Sequence, residues 1–287
     1  MARPAPAATR ALAVLDLLAA NPEESFTLST IAKRLGMSMA TAHAVLHAMV
    51  EAGYLVRHPE HRTFSLGPAV VAIGNAALDR HPLIALAREE MQRLAAQVDA
   101  ECMASLVVGD EVVVVGRAGR PHPHRPLVRV GDRRPLVPPL GIAWLAWSTP
   151  AEIERWLARL GDALTPAART QHEHALAGMR ALGFTAGVEH GEDSHPRTGV
   201  IPVTGEPPRL QLAPRGRHPV AYVAAPVFDA QGGVALVLNL DGFLRDLTAT
   251  ETTELGHQLR DAGLVLTRMT GGRPPYETTP DARRARP

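Results

Sequence analysis

The 287-residue chain is poor in lysine, in cysteine and in net charge. Lys33 is the one lysine among 30 Lys and Arg residues, so nearly every cation is an arginine. On most exposed surfaces either cation serves, and the bias reads as that of a GC-rich genome, in keeping with the heavy use of Ala and Pro. The single cysteine, Cys102, excludes an intramolecular disulfide and a multi-Cys zinc site. It lies in the apolar run 102–108 and reads as a buried, inert thiol. No apolar stretch approaches the roughly 20 residues needed to cross a bilayer. The run 11–20 is interrupted by Asp16 and lacks the basic-then-apolar layout of a signal peptide, so a cytoplasmic location is expected. There is no internal repeat, no Gly-x-Ser-x-Gly elbow and no Gly-rich phosphate loop; neither an enzyme nor a cofactor is expected. The 30 cations against 29 acids leave a net charge of +1, which argues against a strongly basic nucleic-acid binder. A hydrophobic fraction of 46% with 21% charged residues is that of a globular chain, and the length suggests one large domain or two.

What is present begins with helical periodicity. From Thr9, Leu12, Leu15, Leu18 and Ala19 recur at spacings of three and four until Asn21-Pro22 stops the run. A second helix is expected with Ser29 as N-cap, Ile31, Ala32 and Leu35 as its apolar stripe, and Gly36 as its stop. Ser38 then caps a third helix, in which Ala42, Val45, Leu46, Met49 and Val50 form the buried stripe before Gly53. Residues 54–56 read as a strand, 57–62 as a polar turn, and 63–66 as a returning strand ended by Gly67. Three helices followed by a basic-tipped hairpin make a winged helix-turn-helix. On the third helix Ala40, Ala44, His47 and Glu51 point away from the stripe, flanked by Thr41, His43 and Ala48. Ser38, Met39 and Thr41 lie at its N-terminal end, which in a helix-turn-helix meets base edges. The alternative is an exposed helix of a small protein-interaction domain. His43 and His47 are four apart, but no third metal ligand is evident.

Residues 69–78 and 83–98 read as two helices, serving either as linker and dimer contact or as core of the next domain. Beyond residue 98, two antiparallel pairs are expected: 102–108 with 111–117 about Gly109-Asp110, and 220–228 with 234–240 about 229–233. Between them lie a basic Pro-rich loop at 120–134, helices near 140–147, 150–160 and 166–182, and a long loop at 197–219. Thr248 caps a closing helix. The fold class is thus α+β: an N-terminal winged helix-turn-helix with linker (1–80), an antiparallel sheet with helices (81–270) and a disordered tail (271–287). The segment Glu189–His195 groups metal-ligand residue types at no standard spacing. His172 and His174 are two apart and face different sides of a helix, so no metal is assigned. The loop holding Arg120, Arg125, Arg129, Arg133 and Arg134 is either a solvated surface or a site for an anion.

Several segments together resemble the IclR family of bacterial transcription regulators, over nearly the whole length. In the head they are Thr9–Leu15, Leu28–Gly36, Thr41-Ala42-His43 and Gly53-Tyr54-Leu55. In the second domain they are Gly109–Val113 and Val223–Asp229. The resemblance implies a winged-helix head, a GAF-like effector-binding domain, homodimers or dimers of dimers, and effectors that are organic acids or aromatic compounds. A regulator of this kind binds a double-stranded, pseudo-palindromic operator, with Ser38, Met39, Thr41, His43 and His47 lining the groove. Met39 and Ala44 stand where the family commonly has basic residues, so backbone contacts fall to Arg10, Lys33, Arg34, Arg57 and Arg62. Leu140, Gly141, Asp193, Tyr222, Asn239 and Asp241 are the effector-site candidates that the resemblance implies; Tyr222 replaces a common Cys, and Asn239 and Asp241 lie near common Ser positions. Two other readings remain: a metabolite-binding module or enzyme whose head makes only protein contacts, and a regulator whose second domain only dimerises. Residues 1–80 carry 7 Lys+Arg and 6 Asp+Glu. Operator binding is therefore expected to be modest, dimer-dependent and reliant on the wing.

Overall fold

A computed structural model describes residues 5–21, 24–123, 128–188 and 212–276. The chain divides into two compact units: Met1–Pro82 with Arg129–Asp132, and Leu83–Val128 with Arg133–Pro287.

The first unit runs α1 (Pro6–Ala20), β1 (Phe26–Thr27), α2 (Leu28–Arg34), α3 (Met39–Glu51), β2 (Leu55–Arg57), β3 (Thr63–Leu66) and α4 (Pro68–Arg80). Val14, Leu18, Phe26, Ile31, Leu46, Met49, Leu55 and Phe64 form its core. The expected cap of α2 is corrected. Thr27, held extended by pairing with Thr63, is the N-cap and accepts from Thr30 N at 3.3 Å; Ser29 lies inside the first turn. Both α2 and α3 end in the same closing turn. Gly36 (φ +61°) and Gly53 (φ +75°) take the left-handed conformation, Met37 N donates to Ala32 O, and Tyr54 N donates to Met49 O. The strands pair antiparallel in the order β1-β3-β2. Phe26-Thr27, being only two residues long, carries no strand signal of its own in the sequence. Gly67 fastens the base of the wing: its N–H donates to Tyr54 O, and a Cβ there would lie 2.3 Å from Gly53 O.

The second unit contains α5 (Pro82–Val98), β4 (Glu101–Val108), β5 (Glu111–Ala118), β6 (Arg133–Pro135), α6 (Ile142–Leu145), α7 (Pro150–Leu157), a 3-10 segment (Ala158–Ala163), α8 (Pro166–Leu182), β7 (Thr185–Val188), β8 (Val220–Phe228), β9 (Val234–Asp241) and α9 (Ala249–Met269). Its strands form one six-stranded sheet, β6-β5-β4-β9-β8-β7, antiparallel throughout. Both faces are covered. Met91 and Leu94 of α5 and Leu259 and Leu266 of α9 pack on Leu236, Leu238, Leu240, Val223 and Val227. On the other face Ile142, Trp144, Trp156, Leu176 and Met179, from α6, α7 and α8, pack on Val112, Ala224 and Val237. Burial on both faces explains why β8 and β9 read as nearly continuous apolar runs.

Two expectations change here, and one strand is added. Arg133 and Arg134, expected in a loop, pair with Val113 and Val112 in edge strand β6. Residues 185–188 form β7 on the opposite edge. Residues 271–276, expected to begin a disordered tail, pack against the β8–β9 turn: Arg273 N donates to Asp229 O at 2.9 Å, and Gly272, Pro274 and Pro275 are buried. Residues 277–287 lie outside the described residues. No helix of the described residues is long and apolar enough to cross a membrane.

Candidate nucleic-acid interface and ligand-facing sheet

α3 divides cleanly into two faces. Ala42, Leu46 and Met49 are buried, whereas Met39, Ala40, His43, Ala44, His47, Ala48 and Glu51 are exposed. Ser38 caps the helix, accepting from Thr41 N at 3.2 Å, and its Oγ lies 2.8 Å from Thr41 Oγ1. The cap leaves the first backbone N–H groups at the end of the helix where the dipole is positive, a ready position for an anion. Met39, in the first turn, is 51% exposed. His47 Nδ1 lies 3.6 Å from Glu51 Oε2.

The cations expected to hold a nucleic-acid backbone lie outside α3 and are all exposed: Arg10 on α1, Lys33 and Arg34 in the last turn of α2, Arg57 on β2 and Arg62 at the wing tip. Arg34 bonds Glu24 at 2.9 Å and lies over the Phe26 ring, and Arg57 lies over the Phe64 ring. An exposed ion pair such as Arg34–Glu24 holds its cation only weakly. The wing tip also carries His58 and His61, stacked with ring centroids 4.7 Å apart.

In the second unit the sheet face turned towards α6 and α8 carries a polar belt within an apolar layer. Register places Glu101, Asp241, Tyr222 and Gly187 side by side across β4, β9, β8 and β7. The next row is Arg117, Met103, Asn239, Ala224 and Thr185. Asn239 Nδ2 donates to Ser105 Oγ at 3.3 Å, and Glu101 pairs with Arg117. The Tyr222 ring lies over Gly187, where a Cβ would come 2.4 Å from Cε1; enclosure of the phenol pushes its pKa up. Among the described residues, three buried polar atoms lack a partner: Thr185 Oγ1, Trp144 Nε1 and, against Trp156, His172 Nε2. Leu140 O accepts from Trp156 Nε1 at 2.9 Å, and Gly141 (φ +129°) is the N-cap of α6.

Of the sequence-predicted effector residues, Tyr222, Asn239 and Asp241 therefore share one face, and Leu140 packs in the same apolar layer as Tyr222. Gly141 opens the helix that covers that face. Asp193, and with it the segment 189–195, lies outside the described residues. Ser105, Glu101, Arg117, Thr185 and Trp144 are additions that sequence reasoning misses. Ser105 and Glu101 are detectable as polar positions in an otherwise apolar strand, while Thr185 sits on a strand that the sequence does not reveal. His172 is buried against Trp156 with Nδ1 2.8 Å from Ala168 O, while His174 is exposed, so the pair does not converge. Cys102 is fully buried and its thiol pKa is pushed up by desolvation.

Residues 7–59 match the IclR helix-turn-helix domain, and residues 75–194 match the bacterial transcriptional regulator IclR C-terminal domain. The glycerol operon regulatory protein of Streptomyces griseus is 33% identical over 136 residues, covering 47% of this chain and about half, 53%, of that protein. The glycerol operon regulatory protein of Streptomyces coelicolor is 30% identical over 192 residues, covering 66% of this chain and 75% of that protein. The crystal structure of an IclR transcriptional regulator from Alicyclobacillus acidocaldarius superposes with a TM-score of 0.68, covering 94% of this chain and 100% of that one at 24% identity. At that identity the likeness speaks to the fold.

Proposed function

The chain belongs to the IclR family of bacterial transcription regulators, and from that premise we propose how its parts divide the work. Residues 1–80 form the DNA-binding head and linker, and 81–270 form a GAF-like effector-binding and oligomerisation domain. In the head, α3 enters the major groove with Ser38, Met39, Thr41, His43 and His47 along the base edges. Arg10, Lys33, Arg34, Arg57 and Arg62 hold phosphates on either side. The chain acts in the cytoplasm as a homodimer or a dimer of dimers on a pseudo-palindromic operator. Support for dimerisation comes from α4, which buries none of its residues and exposes Val71 (63%) and Ile73 (53%).

In the second domain a small metabolite sits against the sheet face bearing Leu140, Gly141, Tyr222, Asn239 and Asp241. It shifts the population between DNA-competent and DNA-incompetent states by binding one more tightly. The observation that carries the reading is α3 itself: one face buried in the head, the other open along its length, with arginines on the adjoining wing.

A gel shift on DNA from upstream of its own gene tests the first half. A sequence-dependent shift is expected, and its absence with and without metabolites would defeat the DNA-binding reading. Thermal melting across organic acids, aromatic acids and glycerol tests the second half. A compound that raises the melting temperature and changes the gel shift is expected, and no hit at high concentration would leave the domain a dimerisation module.

A further inference from the structure

The side chains that α3 exposes say what kind of base contact it can make. Among its 13 residues there is no Arg, Lys, Asn or Gln. Those four make the paired hydrogen bonds by which a helix distinguishes guanine or adenine in the major groove. The two hydroxyls at its start are engaged with each other and with the Thr41 amide. His47 lies beside Glu51. What remains over the N-terminal half is the Met39 thioether, the Ala40 and Ala44 methyls and the His43 ring, all exposed. The base-edge feature of the major groove that an apolar side chain recognises is the C5 methyl of thymine. The alanines keep the helix thin enough to approach that group. Cations on α1, α2 and the wing supply the phosphate attraction that α3 itself lacks.

We propose that α3 reads its half-site chiefly through thymine methyl groups, touched by Met39, Ala40 and Ala44, with His43 adding one hydrogen bond to a purine N7. The inference rests on the DNA-binding reading above and adds what is read. It places A·T pairs under the first two turns of α3. Each methyl contributes about a fourfold preference, against roughly fivefold to 150-fold for a paired hydrogen bond to one base. Specificity is then spread over several positions and gathered by the two half-sites of a dimer.

The test uses the full chain and a duplex selected by its binding from a random-sequence library. Thymine is replaced by uracil, which lacks only the methyl, at one half-site position at a time. Binding should weaken by about fourfold at one to three positions per half-site. Methylated cytosine paired with guanine should recover part of the loss where unmethylated cytosine does not. In Met39→Ala, whose exposed side chain the fold does not need, one uracil-sensitive position should become insensitive. In Met39→Arg the preference there should move towards guanine. If a duplex is selected but uracil is tolerated everywhere, or its half-site is dominated by G·C pairs worth more than tenfold each, the inference fails while DNA binding stands. If Met39→Ala retains every uracil effect, Met39 is not the contact. If no duplex is enriched, the DNA-binding reading fails and this inference with it.

Discussion

A methyl group at Gly187 would lie 2.4 Å from Cε1 of Tyr222, so the tyrosine ring keeps its place in the polar belt because its neighbour has no side chain. Gly187→Ala should drive the ring off β7 and into the space proposed for the effector, destabilising the second unit by about 1–3 kcal/mol. Operator binding should survive while the metabolite's effect on melting and on the gel shift disappears; an unchanged response would remove Tyr222 from the site. His172 presents a different single-residue question. Burial disfavours its charged form, partly opposed by the bond to Ala168 O, so its pKa is lowered in the fold. The unfolded chain then binds the extra proton first as pH falls through about 6.5, the ordinary histidine value. Stability should therefore be full above that pH and decline below it until the folded ring also protonates. Urea midpoints at pH 5.5 and 7.5 should differ less in His172→Phe, which keeps a ring against Trp156, than in the parent; equal differences would show that His172 does not titrate with folding.

At the scale of elements, legibility follows the strength of local signals. α3 is readable because cap, stripe and stop coincide at Ser38, Ala42–Val50 and Gly53, and α9 because Thr248 and Glu251 form a reciprocal cap. The β8–β9 hairpin is readable from its Gly turn, where Asp229 Oδ1 accepts from Gln231 N and Gly233 N, both at 2.8 Å. β1, β6 and β7 escape because two to four residues carry no periodicity and, unlike the equally short β2 and β3, no hairpin turn marks them; each forms only by pairing with a strand that the sequence does specify. The site obeys the same division. The exposed face of α3 can be read from its own spacing, whereas Thr185 and Arg117 join the row of Asn239, each one strand beyond its neighbours, only through sheet register. The α9 cap permits a check. Thr248→Ala removes the acceptor for Glu251 N and should cost about 1 kcal/mol, lowering the second unit's melting point by a few degrees. Glu251, held down to about 2 by Arg245 and by the Thr248 amide, keeps both partners in that variant and should stay well below the usual carboxylate range. An unaltered melting point would mean that α9 is fixed by packing alone.

For the whole molecule the decisive quantity is how little positive charge the head brings to a polyanion. Its 7 cations against 6 acids leave residues 1–80 at +1, so long-range attraction is slight and binding depends on where each cation stands. α3 contributes none, and Arg34 is shared with Glu24. Arg57 and Arg62, on the strand and tip of the wing, are the pair that a double substitution removes without touching the core, since both are exposed. Removing one arginine–phosphate pairing should flatten the dependence of log K on log salt by about 0.9, so a dimer without both arginines in both protomers should have a slope shallower by up to about 3.6. Affinity should fall at low salt and converge with the parent's as salt rises, with the ranking of operator variants preserved because phosphate contacts carry no sequence information. Titrations of Arg57→Ala/Arg62→Ala and parent protein on one operator across salt concentrations measure this directly. Parallel salt dependences would place the wing away from the backbone, and a changed ranking of operator variants would mean that the wing reads bases rather than phosphates.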